Sequence, residues 1–281
     1  MLAALLASVG GCATWELPDE KTQLPVPALP ADSVRLEIEF VRVPPEWVPG
    51  LADVWAAVDE QHFVPETRRL YVDNGLRCGI VGGQLPTRLR ALLDAEKPTL
   101  EQIADGVDPE ESHMFASTRE LRCRSGKTYK IVAAPRIREE AVVLISEGSH
   151  VRAERYPQAQ GLLSLRAFPT GDSRVKLELT PFIEYGEMRQ KIVPGQGSFL
   201  LDAGRDSEEI TLLQIEAVVG PGETLLLGPQ EPARGLGGWY FGGTHGASTP
   251  SLMLVRVAQT QFDELFNDAP DNRPLATPLD D

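Results

Sequence analysis

The four histidines, His62, His113, His150 and His245, are the side chains best suited to hold a metal or move a proton near neutral pH. They are far apart in the chain and lack the short spacing that brings two imidazoles to one ion. His62 reads instead as a polar residue near a helix end. Carboxylate pairs could supply acid–base chemistry. Glu37 and Glu39, however, alternate with apolar residues and so share the exposed face of one strand. Glycoside hydrolysis needs two carboxylates on separate elements across a cleft. The sequence holds no G-x-S-x-G elbow and no G-x-x-x-x-G-K-[ST] phosphate loop. Gly235-Leu236-Gly237 lacks the third glycine and the strand-to-helix setting of a dinucleotide site. No catalytic residue, no cofactor site and no metal ligand is therefore predicted.

Two further residue sets carry chemistry of another kind. Cys78 and Cys123 fall on predicted strands. As a disulfide they would stabilise the fold by about 4 kcal/mol through lost chain entropy. As two buried thiols they would be ordinary core residues. Trp239, Tyr240 and Phe241 stand together in a glycine-rich connector. There they would either insert into a partner or a lipid interface, or tuck onto the core.

The start of the chain is an uncharged apolar run that ends in Val9-Gly10-Gly11-Cys12. It resembles the end of a bacterial lipoprotein signal peptide, with those four residues as the lipobox. The resemblance implies a signal remnant over residues 1–11 and a lipidated Cys12. It also implies an extracytoplasmic address in the cell outer membrane, since Ala13 rather than Asp follows the cysteine. No Lys or Arg precedes Cys12, so the basic region of a secretory signal is missing. The other reading is an apolar N-terminal element of the fold. Residues 12–31 carry Pro18, Pro25, Pro27 and Pro30 without hydrophobic periodicity, which predicts an extended tether.

The elements that would position these groups follow from length, charge and periodicity. The chain has 281 residues and a formal net charge of −14. Its length suits one large or two small domains with a proper core. Its acidity argues against nucleic acid as a partner. The acidic runs at 105–111, 202–209 and 263–281 read as solvated surface, because none matches a calcium-binding loop. After the first dozen residues no apolar run reaches the ~18–20 needed to span a membrane as a helix.

Alternation predicts a strand over 34–43, with Val34, Leu36, Ile38 and Phe40 on one face. Leu51, Val54, Trp55 and Val58 predict an amphipathic helix ending near Phe63. Asn74-Gly75 between 67–72 and 76–81 predicts a hairpin. Pro86 starts a helix with Leu89 and Leu92 inward, and a third helix is expected after Pro98. Ser125-Gly126 predicts a second hairpin between 118–124 and 127–133. Further strands are expected at 141–146, 151–156, 162–168, 175–183, 188–193, 210–219, 224–227 and 252–259, with a loop over 228–250. The fold class is thus α+β. A small N-terminal α+β module (32–115) precedes a mostly antiparallel β-domain (116–262) and an acidic disordered tail (263–281).

Three stretches of the second half resemble the secretin homology domain of outer-membrane secretion and pilus pores. They are Leu121-Arg-Cys-Arg-Ser-Gly-Lys-Thr-Tyr-Lys-Ile131, Val175-Lys-Leu-Glu-Leu-Thr-Pro-Phe-Ile-Glu-Tyr-Gly186, and Gly220-Pro-Gly-Glu-Thr-Leu-Leu-Leu-Gly228 following the strand at 210–219. The second is similar to the secretin strand pattern V-x-L-x-I-x-P-x-I. The whole is similar to short secretin-like lipoproteins of planctomycete type. The resemblance implies a non-enzymatic, β-rich protein of the outer membrane or periplasm, without cofactor. It would assemble with like subunits or with a secretion or pilus-type complex. The serial N-terminal domains of secretins are missing, and residues 229–249 replace their I-P-x-L-G-x-L-F stretch. Lipid on Cys12 is then the expected membrane attachment, rather than a barrel. An extracytoplasmic β-rich hydrolase or carbohydrate-binding module is the alternative class, and a cytoplasmic protein without a signal is a third.

Overall fold

The structure is a computed structural model that describes residues 29–95, 117–134, 137–194, 199–242 and 249–262. Cys12, His113, His245, most of the expected tether, the helix after Pro98 and the acidic tail lie outside the described residues.

Among the described residues, eleven strands and four α-helices build two antiparallel sheets and a helical layer. The first sheet has the order β2-β10-β11-β1-β3, formed by β1 (Ser33–Arg42), β2 (Leu76–Val81), β3 (Ser117–Arg124), β10 (Thr224–Pro229) and β11 (Ser251–Gln261). The second has the order β4-β6-β7-β8, formed by β4 (Tyr129–Val132), β6 (Val151–Pro169), β7 (Val175–Pro194) and β8 (Phe199–Glu209). β5 (Arg138–Ser146) adds to β6, and β9 (Ile215–Val219) to β7. Helices α1 (Leu51–Ala56) and α3 (Thr87–Ala95) cover the outer face of the first sheet. Helices α2 (Pro65–Asp73) and α4 (Gly235–Phe241) pack beside β2 and β5.

Alternation decides where the core sits. In β10, Leu225 and Leu227 join the core between the sheets, while Leu226 joins the core under α1 and α3. In β11, Met253 and Val255 point one way and Leu252 and Leu254 the other. Both strands are therefore buried on both faces, which is why they read as unbroken apolar runs. β1 has one such face along Val34, Leu36 and Ile38, as its alternation predicts. Leu51, Val54, Trp55, Leu89 and Leu92 are buried as their helical spacing predicts.

The mostly antiparallel β architecture with helices is as expected, but several local readings are corrected. Residues 67–72 form part of helix α2, not a hairpin strand. Pro65 and Glu66 suit a first helical turn, and Gly75 takes φ +74° just past the C-terminus. Asn-Gly satisfies the positive-φ demand of a helix end as well as that of a hairpin. Ser125-Gly126 does not join a hairpin either. β3 pairs with β1 and β4 pairs with β6, so the turn carries the chain from one sheet to the other.

The division at residue 115 does not separate two bodies. β1 and β2 lie beside β11 and β10, because doubly buried strands need neighbours on both edges. Strands expected at 151–156 and 162–168 are one strand, and so are those at 175–183 and 188–193. Gln158 at φ +46° bends the first, and a register shift after Tyr185 with Gly186 at φ +74° bends the second. The acidic run at 202–209 lies in β8. The expected loop at 228–250 contains α4. Leu29, placed in the tether by its prolines, is buried.

Asn74 and Gly75 tie these elements together. The fully buried Asn74 donates from Nδ2 to the carbonyls of Leu70 and Ser146, both at 2.9 Å, and its Oδ1 accepts from Ser146 N–H at 2.7 Å. Its backbone carbonyl accepts from Gly237 N–H at 2.9 Å, and that of Gly75 from Gln230 N–H at 2.8 Å. Truncation to Asn74→Ala strands both Ser146 groups, so it should destabilise by about 2–4 kcal/mol in urea unfolding. A Cβ on Gly75 would lie 1.8 Å from the Arg234 carbonyl oxygen. Gly75→Ala should therefore cost at least about 2 kcal/mol by the same measurement, strain in φ included.

Candidate functional site

The candidate site is the ribbon made by β5 and the first half of β6, in register from Arg138↔Ala159 to Ser146↔Val151. This half of β6 lies ahead of the β6–β7 pairing, which begins at Gln160↔Glu184. Period-two alternation gives the ribbon two unlike faces. Ala141, Val143, Ile145 and Tyr156 are buried in the core, and α4 packs against β5 there. Val142, Leu144 and Val151 point outward and keep 59%, 48% and 65% exposure. Ala153 stands opposite Leu144 on that outer face. Arg155 pairs with Glu140 at 2.8 Å at one end of it.

Polar contacts fix the ribbon in place. The Tyr156 hydroxyl donates to Glu208 Oε2 at 2.8 Å, and Arg152 donates to Glu208 Oε1 at 2.9 Å. The rings of Tyr156 and Tyr185 meet at a tilt of 54° with centroids 5.1 Å apart. Burial, and then the Glu208 carboxylate, push the Tyr156 phenol well above its ordinary range. It stays a donor at any physiological pH. At the far end Asn74 closes on the backbone of Ser146.

That last contact sets which groups of β5 face outward. Ser146 turns both its N–H and its C=O away from β6 toward Asn74. By alternation Leu144, Val142 and Glu140 turn theirs the same way. Among the described residues β5 pairs with β6 only. Other edges are managed in recognised ways. β3 carries Arg119, Glu120, Arg122 and Arg124, and β8 carries Asp206, Glu208 and Glu209. β2 is covered where Asp59 exchanges hydrogen bonds with Ile80 at 2.8 and 3.0 Å. β4 and β9 have only four and five residues. β5 has nine, and from Ala141 to Ser146 it holds neither charge nor proline. The second sides of β6 over residues 151–159 and of β7 over residues 185–194 also lack a strand among the described residues, but those stretches carry Arg152, Glu154, Arg155 and Pro157, and Arg189 and Lys191, whereas β5 has no such guard from Ala141 to Ser146.

The sequence-predicted groups fall elsewhere. Trp239, Tyr240 and Phe241 tuck onto the core and are not exposed for a partner or lipid. The Tyr240 hydroxyl sits 2.9 and 2.6 Å from the carbonyl oxygens of Leu162 and Phe182. Gly161 makes room for both rings, and Gly237 lets α4 close on Gly75, where a Cβ would lie 1.9 Å from the carbonyl oxygen. Gly235, Gly237, Gly238 and Gly242 thus serve close packing. Cys78 and Cys123 are free, buried and on opposite edges of the first sheet. Four strand spacings, roughly 19 Å, separate those edges, far beyond the ~7 Å that a disulfide spans. His150 is exposed beside Ser149 Oγ at 2.8 Å, and the described residues hold no group of three metal-binding side chains. A surface cavity of about 320 Å³ lies between Glu46, Trp47, Gly50, Thr87, Arg88 and Ala91.

The signal for the ribbon was present as Ala141-Val-Val-Leu-Ile145. Five apolar residues in a strand with one solvent face must leave some of them exposed. No helix among the described residues is long and apolar enough to cross a membrane. Compared with known protein families, curated proteins and solved structures, the chain shows no match.

Burial pushes the Cys123 thiol up to about 12, and burial with Glu60 raises that of Cys78. Both are held as neutral thiols in the native state. Since an unfolded thiol ionises near ~8.5, their contribution to stability is full below that pH and declines above it. Alkylation at pH 8 should reach Cys78 and Cys123 only after denaturant is added, read by intact mass. Labelling of either at native concentrations of reagent would contradict the placement.

Proposed function

We propose that this chain is a non-enzymatic, secretin-like assembly protein held at the outer membrane or periplasmic face by lipid on Cys12. Its work is recognition through β-sheet edges, as an accessory of a secretion or pilus-type complex. The observation that carries this reading is the unprotected β5 edge with Val142, Leu144 and Val151 exposed beside it. A strand with unpaired N–H and C=O groups and outward aliphatic side chains is a template for another strand.

Two features lend support. The stretches that resemble secretins fall on connected β-elements: residues 175–186 on β7, and residues 220–228 across the β9–β10 turn. The anchor is supported by sequence, in the lipobox-like Val9-Gly10-Gly11-Cys12. Triacylation would supply the several chains that firm attachment needs.

Fractionation of the native host tests the reading. The chain should sediment with membranes and run in a complex larger than its own 30.7 kDa. Cys12→Ser should move it to the soluble fraction. A wild-type chain found wholly soluble and alone would reject the proposal.

A further inference from the structure

We infer that a second copy of this chain pairs with the β5 edge, antiparallel and across a two-fold axis, joining two ribbons into a four-stranded sheet. The inference rests on the assembly reading above and names its partner. An edge strand can pair with itself about a local dyad, and such a contact closes at two copies.

The register follows from the Asn74 contact. Only residues whose backbone groups point outward can form the new ladder, and on β5 these are the even-numbered ones. A dyad at Val142 would require Arg138 to pair with Ser146 of the second copy, whose N–H and C=O already bond Asn74. A dyad at Ala141 avoids this. It sets Glu140 against Val142 of the other copy, and it leaves Ser146 outside the ladder.

Charge favours the same contact. Each copy carries −14, so two copies repel over most of their surface. Residues 137–159 hold three basic side chains (Arg138, Arg152, Arg155) against four acidic ones (Glu139, Glu140, Glu147, Glu154), a net charge of −1. That is its proportionate share of the −14, so what the ribbon brings to the contact is both signs of charge side by side rather than a low charge. In the Ala141 register the charges also interlock. Arg155 lies opposite Val142 in its own ribbon, and Val142 lies opposite Glu140 of the second copy. Arg155 and that Glu140 then share the outer face with one valine between them, two strand spacings or roughly 10 Å apart at the backbone. Each Arg155, already 2.8 Å from its own Glu140, gains a second carboxylate. The two Val142 side chains are then diagonal neighbours on that outer face, each beside the Leu144 of its own strand.

The test uses the full chain with Cys12→Ser, so that lipid cannot drive association. Native mass spectrometry and sedimentation over a range of micromolar concentrations should show a dimer. Val142→Pro removes an N–H that points outward and leaves the β5–β6 ladder intact. It should keep the cooperative unfolding transition and weaken dimerisation at least tenfold. Glu140→Arg should weaken it similarly, and adding Arg155→Glu should restore it. That rescue holds even if Val142→Pro fails to fold. A dimer indifferent to Val142→Pro and to the charge reversal would overturn the β5 contact. Larger rings that survive Val142→Pro would overturn the two-fold pairing while leaving the assembly reading standing. Monomers at every concentration, with no larger complex in the native host, would overturn both.

Discussion

Where β5 ends, a side-chain amide takes the place of a neighbouring strand. The carboxamide of Asn74 gives and receives one hydrogen bond with Ser146, as a residue in a ladder would. Its backbone meanwhile closes helix α2 and accepts from α4. Three elements from distant parts of the chain thereby meet at one buried residue with no unpaired amide group. A buried amide is costly unless satisfied, so its partners must arrive together. The ribbon's position, the close seating of α4 on Gly75 and the start of β2 all depend on that meeting.

The energetic logic around this point is one of close approach. α4 is short and rich in glycine, a poor helix by intrinsic preference. It persists because Trp239, Tyr240 and Phe241 are buried, with Trp239 and Tyr240 on Gly161 of β6 and the Tyr240 hydroxyl bonded to β6 and β7, and because its glycines admit backbone contact that any side chain would block. Packing overrides propensity here, which is why the segment reads as a loop in the sequence.

The fold was legible where one physical demand acts on a residue. Leu51, Val54 and Trp55 serve only a helix face, and Val34, Leu36 and Ile38 only a strand face. It was obscured where one signal answers two demands. Asn74-Gly75 suits a helix end and a hairpin alike, and Ser125-Gly126 suits any reversal, including one between sheets. β8 was hidden because its acidic residues belong to an exposed strand, where charge does not disclose the backbone. Pairing partners were not legible at all, since β1 meets β11 across almost the whole sequence. The ribbon could be read as a strand, but its free edge follows only from knowing which neighbours are missing.

The same arrangement of the first sheet has a consequence in time. β1 is among the first described residues to be synthesised, and its neighbours β3 and β11 come about 80 and about 210 residues later. Until β11 exists, the apolar side chains of β1 lack their final cover and the first sheet lacks its middle. Such a chain cannot complete its first sheet on the ribosome while β11 is still in the exit tunnel. That sheet is held open by its own topology until the distant strand emerges.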